Sequence, residues 1–324
     1  MRWSRGLRRI RPIILGFLPA LVVTSVAAGE LALITNQNGS DLSVIDLDSQ
    51  KERARIPVPG EPAGIAVDTA AARFYTVSAG SKTLRQFDLA GTLLQEVTLD
   101  GGPIGIAVQP DGTRVFVSDW YNARIWVLDA TDLSVLTTLS TGAAPAGLVI
   151  DPQGTWIASA DKDADQVSVF DLESLTLRHR IPVGTRPFGI SVGPGGRIFT
   201  ADVGSNTVTV ADPLTGALLG RVPVGARPYG IAFAAGLGFV TNQYADSVSV
   251  FDLADLTPRA TIPVGEYPEG IDATPDGTKV VVANWFSNAV SVIDTKTLTV
   301  TAEIATGDGP RAFGRFLIAD GTGG

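Results

Sequence analysis

Three markers recur in register seven times along this chain. Prolines that each open a short apolar run stand at Pro62, Pro103, Pro145, Pro187, Pro228, Pro268 and Pro310, at steps of 41, 42, 42, 41, 40 and 42 residues. An aspartate closes an alternating run at Asp46, Asp88, Asp129, Asp171, Asp212, Asp252 and Asp294. Ten residues before each aspartate stands a small polar residue: Asn36, Ser78, Asp119, Asp161, Asp202, Asn242 and Asn284. A repeat of this length marks a supersecondary unit that buries its apolar face only by stacking on its neighbours.

Each unit holds four short runs rich in Val, Ile, Thr and Phe, with turn residues between them. In the sixth period these are residues 270–273, 279–283, 289–293 and 298–304. Turns such as Pro110-Asp111-Gly112 and Pro275-Asp276-Gly277 suit tight antiparallel connections. After residue 28 no run of 12 or more residues shows a helical period. Gly 36 and Pro 20 make about 17% of the chain, yet 45% of residues are hydrophobic, a turn-rich composition rather than a disordered one. Four strands in about 40 residues is the pattern of a propeller blade. The predicted fold is all-β: a seven-bladed β-propeller of four-stranded antiparallel blades. Residues 31–35 align with a second strand and residues 310–318 with a first strand. One blade is therefore expected to be closed by N- and C-terminal strands, leaving no unpaired edge where the ends meet.

The segments Ile34-Thr35-Asn36-Gln37, Val240-Thr241-Asn242-Gln243 and Val282-Ala283-Asn284 pair with runs such as Val248-Ser249-Val250-Phe251-Asp252. In these the chain resembles the YVTN family of β-propeller repeats over about residues 31–318. The resemblance implies the propeller fold. It implies little about activity, because fold does not fix function. It also implies kinship with surface-layer proteins, periplasmic propellers and propellers linked to quinoprotein dehydrogenases, which makes such a dehydrogenase or its cytochrome one candidate partner.

Residues 1–28 read as a secretory signal. Arg2, Arg5, Arg8, Arg9 and Arg11 precede an apolar stretch over 12–26, and small residues follow at 25–29. The stretch is short for a membrane span of about 20 residues. Arg8-Arg9 continues into Ile10-Arg11-Pro12, which favours the general secretory route over folded export. Residues 29–324 form the single propeller domain, expected to work in a periplasm or outside the cell with no membrane span once the signal is removed. The chain has no cysteine, so disulfides, Cys-ligated metals, thiol catalysis and a lipoprotein anchor are excluded. One histidine, His179, excludes a two-His metal site within the chain and weakens any His-based triad. All 33 acids follow residue 28, so residues 29–324 carry 20 bases against 33 acids, a charge of −13. An acidic body argues against nucleic acid as partner.

A residue needed in every blade does a blade's job. The seven aspartates are expected to bind turn amides, the prolines to set the angle into the inner strand, and the Asn/Asp/Ser series to cap the loop between strands two and three. Function is expected where the copies differ. The loop leading into strand one and the loop joining strands two and three open on one face. On that face fall Glu61, Arg186, Phe188, Arg227, Tyr229, Tyr267, Glu269 and Arg311 around the prolines. Trp120, Tyr121, Tyr244, Trp285 and Phe286 fall in the second loop set. Aromatic residues with a polar tip suit an interface. Arg186, Arg227 and Arg311 suit an anionic ligand, unless Glu61 and Glu269 neutralise them as a ring of solvated ion pairs.

Other motifs point to structure. Asp161-Lys162-Asp163-Ala164-Asp165 lacks the glycine and closing glutamate of a helical calcium loop. His179 falls on an expected outer strand. Gly189-Ile190-Ser191-Val192-Gly193 lies inside an inner-strand repeat, without the strand-to-helix turn that exposes a nucleophile. The expectation is a non-catalytic binding or assembly module with no cofactor and no metal. It would recognise a periplasmic or extracellular protein, or a small anionic ligand, on the loop face. The alternatives are a lactonase-like propeller hydrolase, a single-stranded nucleic-acid binder using stacked aromatics, and a purely structural envelope protein.

Overall fold

In the computed structural model of the chain, Met1 and residues 30–319 are described; the basic and apolar segment read as a signal lies outside the described residues. Six blades are continuous in sequence: blade 1 over 62–98, blade 2 over 103–140, blade 3 over 145–182, blade 4 over 187–223, blade 5 over 228–263 and blade 6 over 268–305. Each is a four-stranded antiparallel meander. Blade 6, for example, runs Pro268–Ala273, Lys279–Asn284, Ala289–Asp294 and Thr299–Ala305. Blade 7 is split. Glu30–Asn36, Asp41–Asp46 and Lys51–Pro57 supply three strands, and Leu317–Ala319 pairs antiparallel with the first of them. Helix is confined to two single 3₁₀ turns among the described residues, Lys162–Ala164 and Pro194–Gly196.

The strand sequences follow from position in the blade. Strands two and three are covered by neighbouring blades on both faces, so Trp156–Asp161 and Gln166–Asp171 are buried almost throughout. The outer strand faces solvent, and Lys51–Pro57 is exposed along nearly its whole length. Apolar clusters fill the gaps between sheets. One joins Ile34 and Ile45 of blade 7 to Phe74 and Phe87 of blade 1 and Val281 and Val290 of blade 6. The Phe74 and Phe87 rings stack at 4.9 Å. Each such side chain contributes about 1.5–3 kcal/mol by leaving water.

The repeat markers hold blades together. An added Cβ on Gly189 would run into the Tyr229 carbonyl of the next blade, and one on Gly105 into that of Ala146. Ser and Thr hydroxyls on second strands bind the same inter-blade carbonyls: Ser118 Oγ donates to Ala146 O at 2.7 Å and Thr241 Oγ1 to Glu269 O at 2.7 Å. All seven repeat aspartates accept turn amides, as in Asp46 from Ser49 N at 2.8 Å and Asp294 from Thr297 N at 2.7 Å. The Asn/Asp/Ser series does more than cap one loop. Asn36, Asn242 and Asn284 each donate to the serine seven residues on, tying strand two to strand three. Asp119 and Asp161 also accept from Gly102 N and Gly142 N of the loop leading into strand one.

Closure differs from the single first strand expected over 310–318. Pro310 makes only an isolated bridge to Asn36. Phe313–Gly314 pairs parallel with Gly64 and Ile65 of blade 1. The backbone breaks because Ala312 and Gly314 take positive φ, and the Asp272 carboxylate of blade 6 accepts both Phe316 N at 3.0 Å and Leu317 N at 3.1 Å. That carboxylate holds the last strand where an unbroken ladder would otherwise do so.

Candidate functional site

Residues that follow the repeat prolines meet at the centre of the ring, where Ala146, Phe188 and Tyr229 pack with Phe313 and against Ile104. Around the axis these residues are Ala63, Ile104, Ala146, Phe188, Tyr229, Glu269 and Arg311. Phe188 and Tyr229 pack at 4.6 Å, Phe188 and Phe313 at 5.0 Å, and Tyr229 and Phe313 at 5.4 Å. Trp120 leans on Phe188 at 5.9 Å. These rings plug the axis beneath the loop face. Phe188 and Tyr229 are thus buried, Tyr229 to 3% exposure, rather than presented as surface aromatics. The reason is positional: Phe188 and Tyr229 follow their prolines and are buried, whereas Arg186 and Arg227, which precede the same prolines, are exposed and half-buried respectively.

Beside the plug lies a polar floor. Arg311 Nε lies 3.0 Å from Glu269 Oε2 and 3.0 Å from the Tyr229 hydroxyl, to which it donates. Arg311 Nη1 donates to Gln37 Oε1 at 2.9 Å, and Gln243 Nε2 donates to Glu269 Oε1 at 2.9 Å. Burial pushes the Glu269 carboxyl above its usual range, with Arg311 opposing. Burial alone would depress the Arg311 guanidinium, but Glu269 outweighs it and keeps the group protonated. Burial raises the Tyr229 phenol as well.

The rim is built by the residues before the prolines. Glu61, Ala144, Arg186, Arg227 and Tyr267 all hold positive φ, between 52° and 61°. This strained turn is pinned by side chains that sequence reasoning missed: Asp165, Asn206 and Asp246 accept from the amides of Arg186, Arg227 and Tyr267 at 2.7, 2.9 and 2.9 Å. Their fixed offset of 21 residues was the available signal. The backbone belongs to the repeat, and only the projecting side chain varies.

On blades 5 and 6 those side chains form a continuous ledge. The Arg227 guanidinium lies 4.4 Å over the Tyr244 ring and donates to its hydroxyl at 3.1 Å. Tyr244 meets Tyr267 at 5.8 Å, Tyr267 meets Trp285 at 5.9 Å and Phe286 at 5.2 Å, and Trp285 meets Phe286 at 4.6 Å. Tyr244 and Phe286 remain 61% and 60% exposed. On blades 2 and 3, Lys162 Nζ sits 4.6 Å over Trp120 beside Tyr121, which is 75% exposed.

The three arginines do not share one partner. Arg311 is committed to Glu269, Arg227 to Tyr244, and exposed Arg186 lies 4.0 Å from Asp163. Glu61 is exposed against Gly80 and has no arginine partner among the described residues. The ring of ion pairs reduces to one buried pair.

The remaining motifs are spent on the fold. Asp161 accepts from Ser159, Ser168 and Gln166, and Asp165 binds the Arg186 amide. His179 Nε2 donates to Leu214 O at 2.9 Å, between blades 3 and 4. Ser191 Oγ donates to Ile231 O at 2.7 Å. Among the described residues no three His, Cys, Asp or Glu side chains converge as a metal site, and no helix is long and apolar enough to cross a membrane.

A cavity of about 1340 Å³ runs along the axis and opens on the opposite face, through turns that include Asp68, Asp151 and Arg197. Among the carboxylates lining it, Asp151 accepts from Thr155 Oγ1 and Asp272 from the C-terminal strand, while Asp68 accepts from Ala71 N through Oδ1 and leaves Oδ2 buried without a partner.

Residues 119–312 match the model of a family described as YNCE-like beta-propeller. No curated protein matches the chain. A functionally unknown protein from Desulfotomaculum acetoxidans is similar in structure, with TM-score 0.75 and 15% identity over 87% of this chain and 99% of that one. Hydrazine synthase from Kuenenia stuttgartiensis gives TM-score 0.74 and 21% identity over 86% of this chain and 99% of that one. The dihydro-heme d1 dehydrogenase NirN gives TM-score 0.62 and 18% identity over 85% of this chain and 63% of that one. At such identities the likeness is one of fold.

Proposed function

The chain belongs to the YNCE-like β-propeller family, and on that premise we propose that it is an exported, non-catalytic binding module that recognises a protein partner on the loop face of blades 5 and 6. The observation that carries this reading is the ledge of Arg227, Tyr244, Tyr267, Trp285 and Phe286, linked ring to ring across two blades, with Tyr244 and Phe286 open to solvent and the other three half-buried beneath them. Large aromatics and arginine dominate the energy of protein interfaces because they bury much area at little entropic cost. The varied side chains sit on turns held by Asn206 and Asp246, which accept the amides of Arg227 and Tyr267. The basic and apolar segment before residue 28 and the absence of cysteine support export to a periplasm or beyond.

Formaldehyde crosslinking of the full chain in the cells that produce it tests the proposal. The expected result is an adduct of one discrete mass, lost in the Tyr244→Ala/Phe286→Ala variant while its melting temperature holds. An adduct that persists unchanged in that variant overturns the reading.

A further inference from the structure

We infer that the loop face holds a site for a carboxylate carried on an aromatic body, with the carboxylate between Arg311 and Arg227 and the body against Tyr244 and Tyr267. The inference rests on the loop face being the recognition surface and names the chemistry taken there.

Both guanidiniums have unused donors. Arg311 donates its single Nε hydrogen to Tyr229 while pairing by charge with Glu269, and spends Nη1 on Gln37; its Nη2 has no partner among the described residues. Arg227 spends Nη1 on Tyr244, and its buried Nε has no partner. The two act on the same groups, since Arg227 and Arg311 both lie within electrostatic reach of the Glu269 carboxyl and the Tyr267 phenol. Sequence neighbours tie floor to rim: Gln243, which holds Glu269, precedes Tyr244, and Tyr267 stands two residues before Glu269.

Guanidinium geometry selects the ligand. The planar pair of oxygens of a carboxylate matches the guanidinium fork. Asp246 and Glu266 add negative charge to the same rim, so a singly charged ligand suits it better than a phosphate dianion. The Tyr244 and Tyr267 rings stand 5.8 Å apart and are inclined at 47°. That geometry offers an incoming ring an edge or an offset face.

The test titrates the purified full chain with benzoate, with its uncharged isostere benzamide, and with the peptide Gly-Gly-Phe bearing a free or an amidated C-terminus, read by saturation-transfer NMR. Binding of the free acids but not of the amides is expected. Arg227→Gln and Tyr244→Ala, both at the rim and outside the core, should each weaken binding about tenfold. Tighter binding of the peptide acid than of benzoate would identify a chain terminus as the source, and the reverse a free aromatic acid. Equal binding of acid and amide, an Arg227→Gln variant that binds as the wild type does, or no binding of either acid overturns the inference. If the crosslinked adduct on Tyr244 and Phe286 survives such a failure, only the carboxylate assignment falls; if both fail, the recognition surface itself is misplaced.

Discussion

Arg311 and Glu269 form a buried ion pair, Nε to Oε2 at 3.0 Å, across the junction where blade 6 meets the split blade 7. Two charges out of water hold each other there, assisted by Tyr229, Gln37 and Gln243. Removing one partner strands the other. Glu269→Gln is therefore expected to cost about 3–5 kcal/mol in denaturant unfolding. A loss under about 1 kcal/mol, the range of exposed pairs, would show the pair to be solvated.

The Gly189 position faces the Tyr229 carbonyl. Gly189→Ala forces blades 4 and 5 apart and should cost about 1–3 kcal/mol, as overpacking does. Unchanged stability would mean the blades have room to spare.

The Asp171 carboxylate accepts from Ser174 N at 2.8 Å and from the Ser174 hydroxyl, with Arg178 Nη2 at 2.6 Å. These bonds lower its pKa from 3.8 to about 2. Because the folded value is the lower one, the stabilisation is present above the unfolded pKa and is lost as pH falls through about 2. A carboxyl-carbon NMR titration should place the midpoint near that value; a midpoint at 3.8 or above would contradict the turn geometry.

Asp272 supplies both acceptor contacts to the C-terminal strand amides. Asp272→Ala should speed hydrogen exchange at Phe316 and Leu317 while leaving Val292, inside blade 6, protected. Equal protection in variant and wild type would assign closure to the ladder with Glu30–Asn36 instead.

The blade count, strand order and split seventh blade were legible in sequence because every blade solves the same packing problem with the same residues. A proline, a polar marker and an aspartate at fixed spacing are local chemistry, and local chemistry is what a linear pattern records. The plug was not legible. Arg227 and Tyr229 flank one proline, yet one stands on the rim and the other is buried at the axis. Only the positive φ before the proline separates them. The Glu269–Arg311 pair, one repeat apart, was legible as one of the solvated ion pairs that could neutralise the arginines, but its burial beside Tyr229 of another blade was not. The break at Ala312 and Gly314 was hidden for a similar reason: Asp272, in another blade, takes the amides that a continuous strand would have offered elsewhere.

The central claim, recognition on the ledge of blades 5 and 6, is tested most directly by site-resolved crosslinking. The chain has no cysteine, so Tyr244→Cys, Phe286→Cys and, on the opposite face, Gln153→Cys each carry one photoreactive label at a known place. The account predicts one discrete partner adduct from labels at 244 and 286 and none from 153. Adducts from 153 alone would contradict it and move the recognition surface to the mouth of the axial cavity.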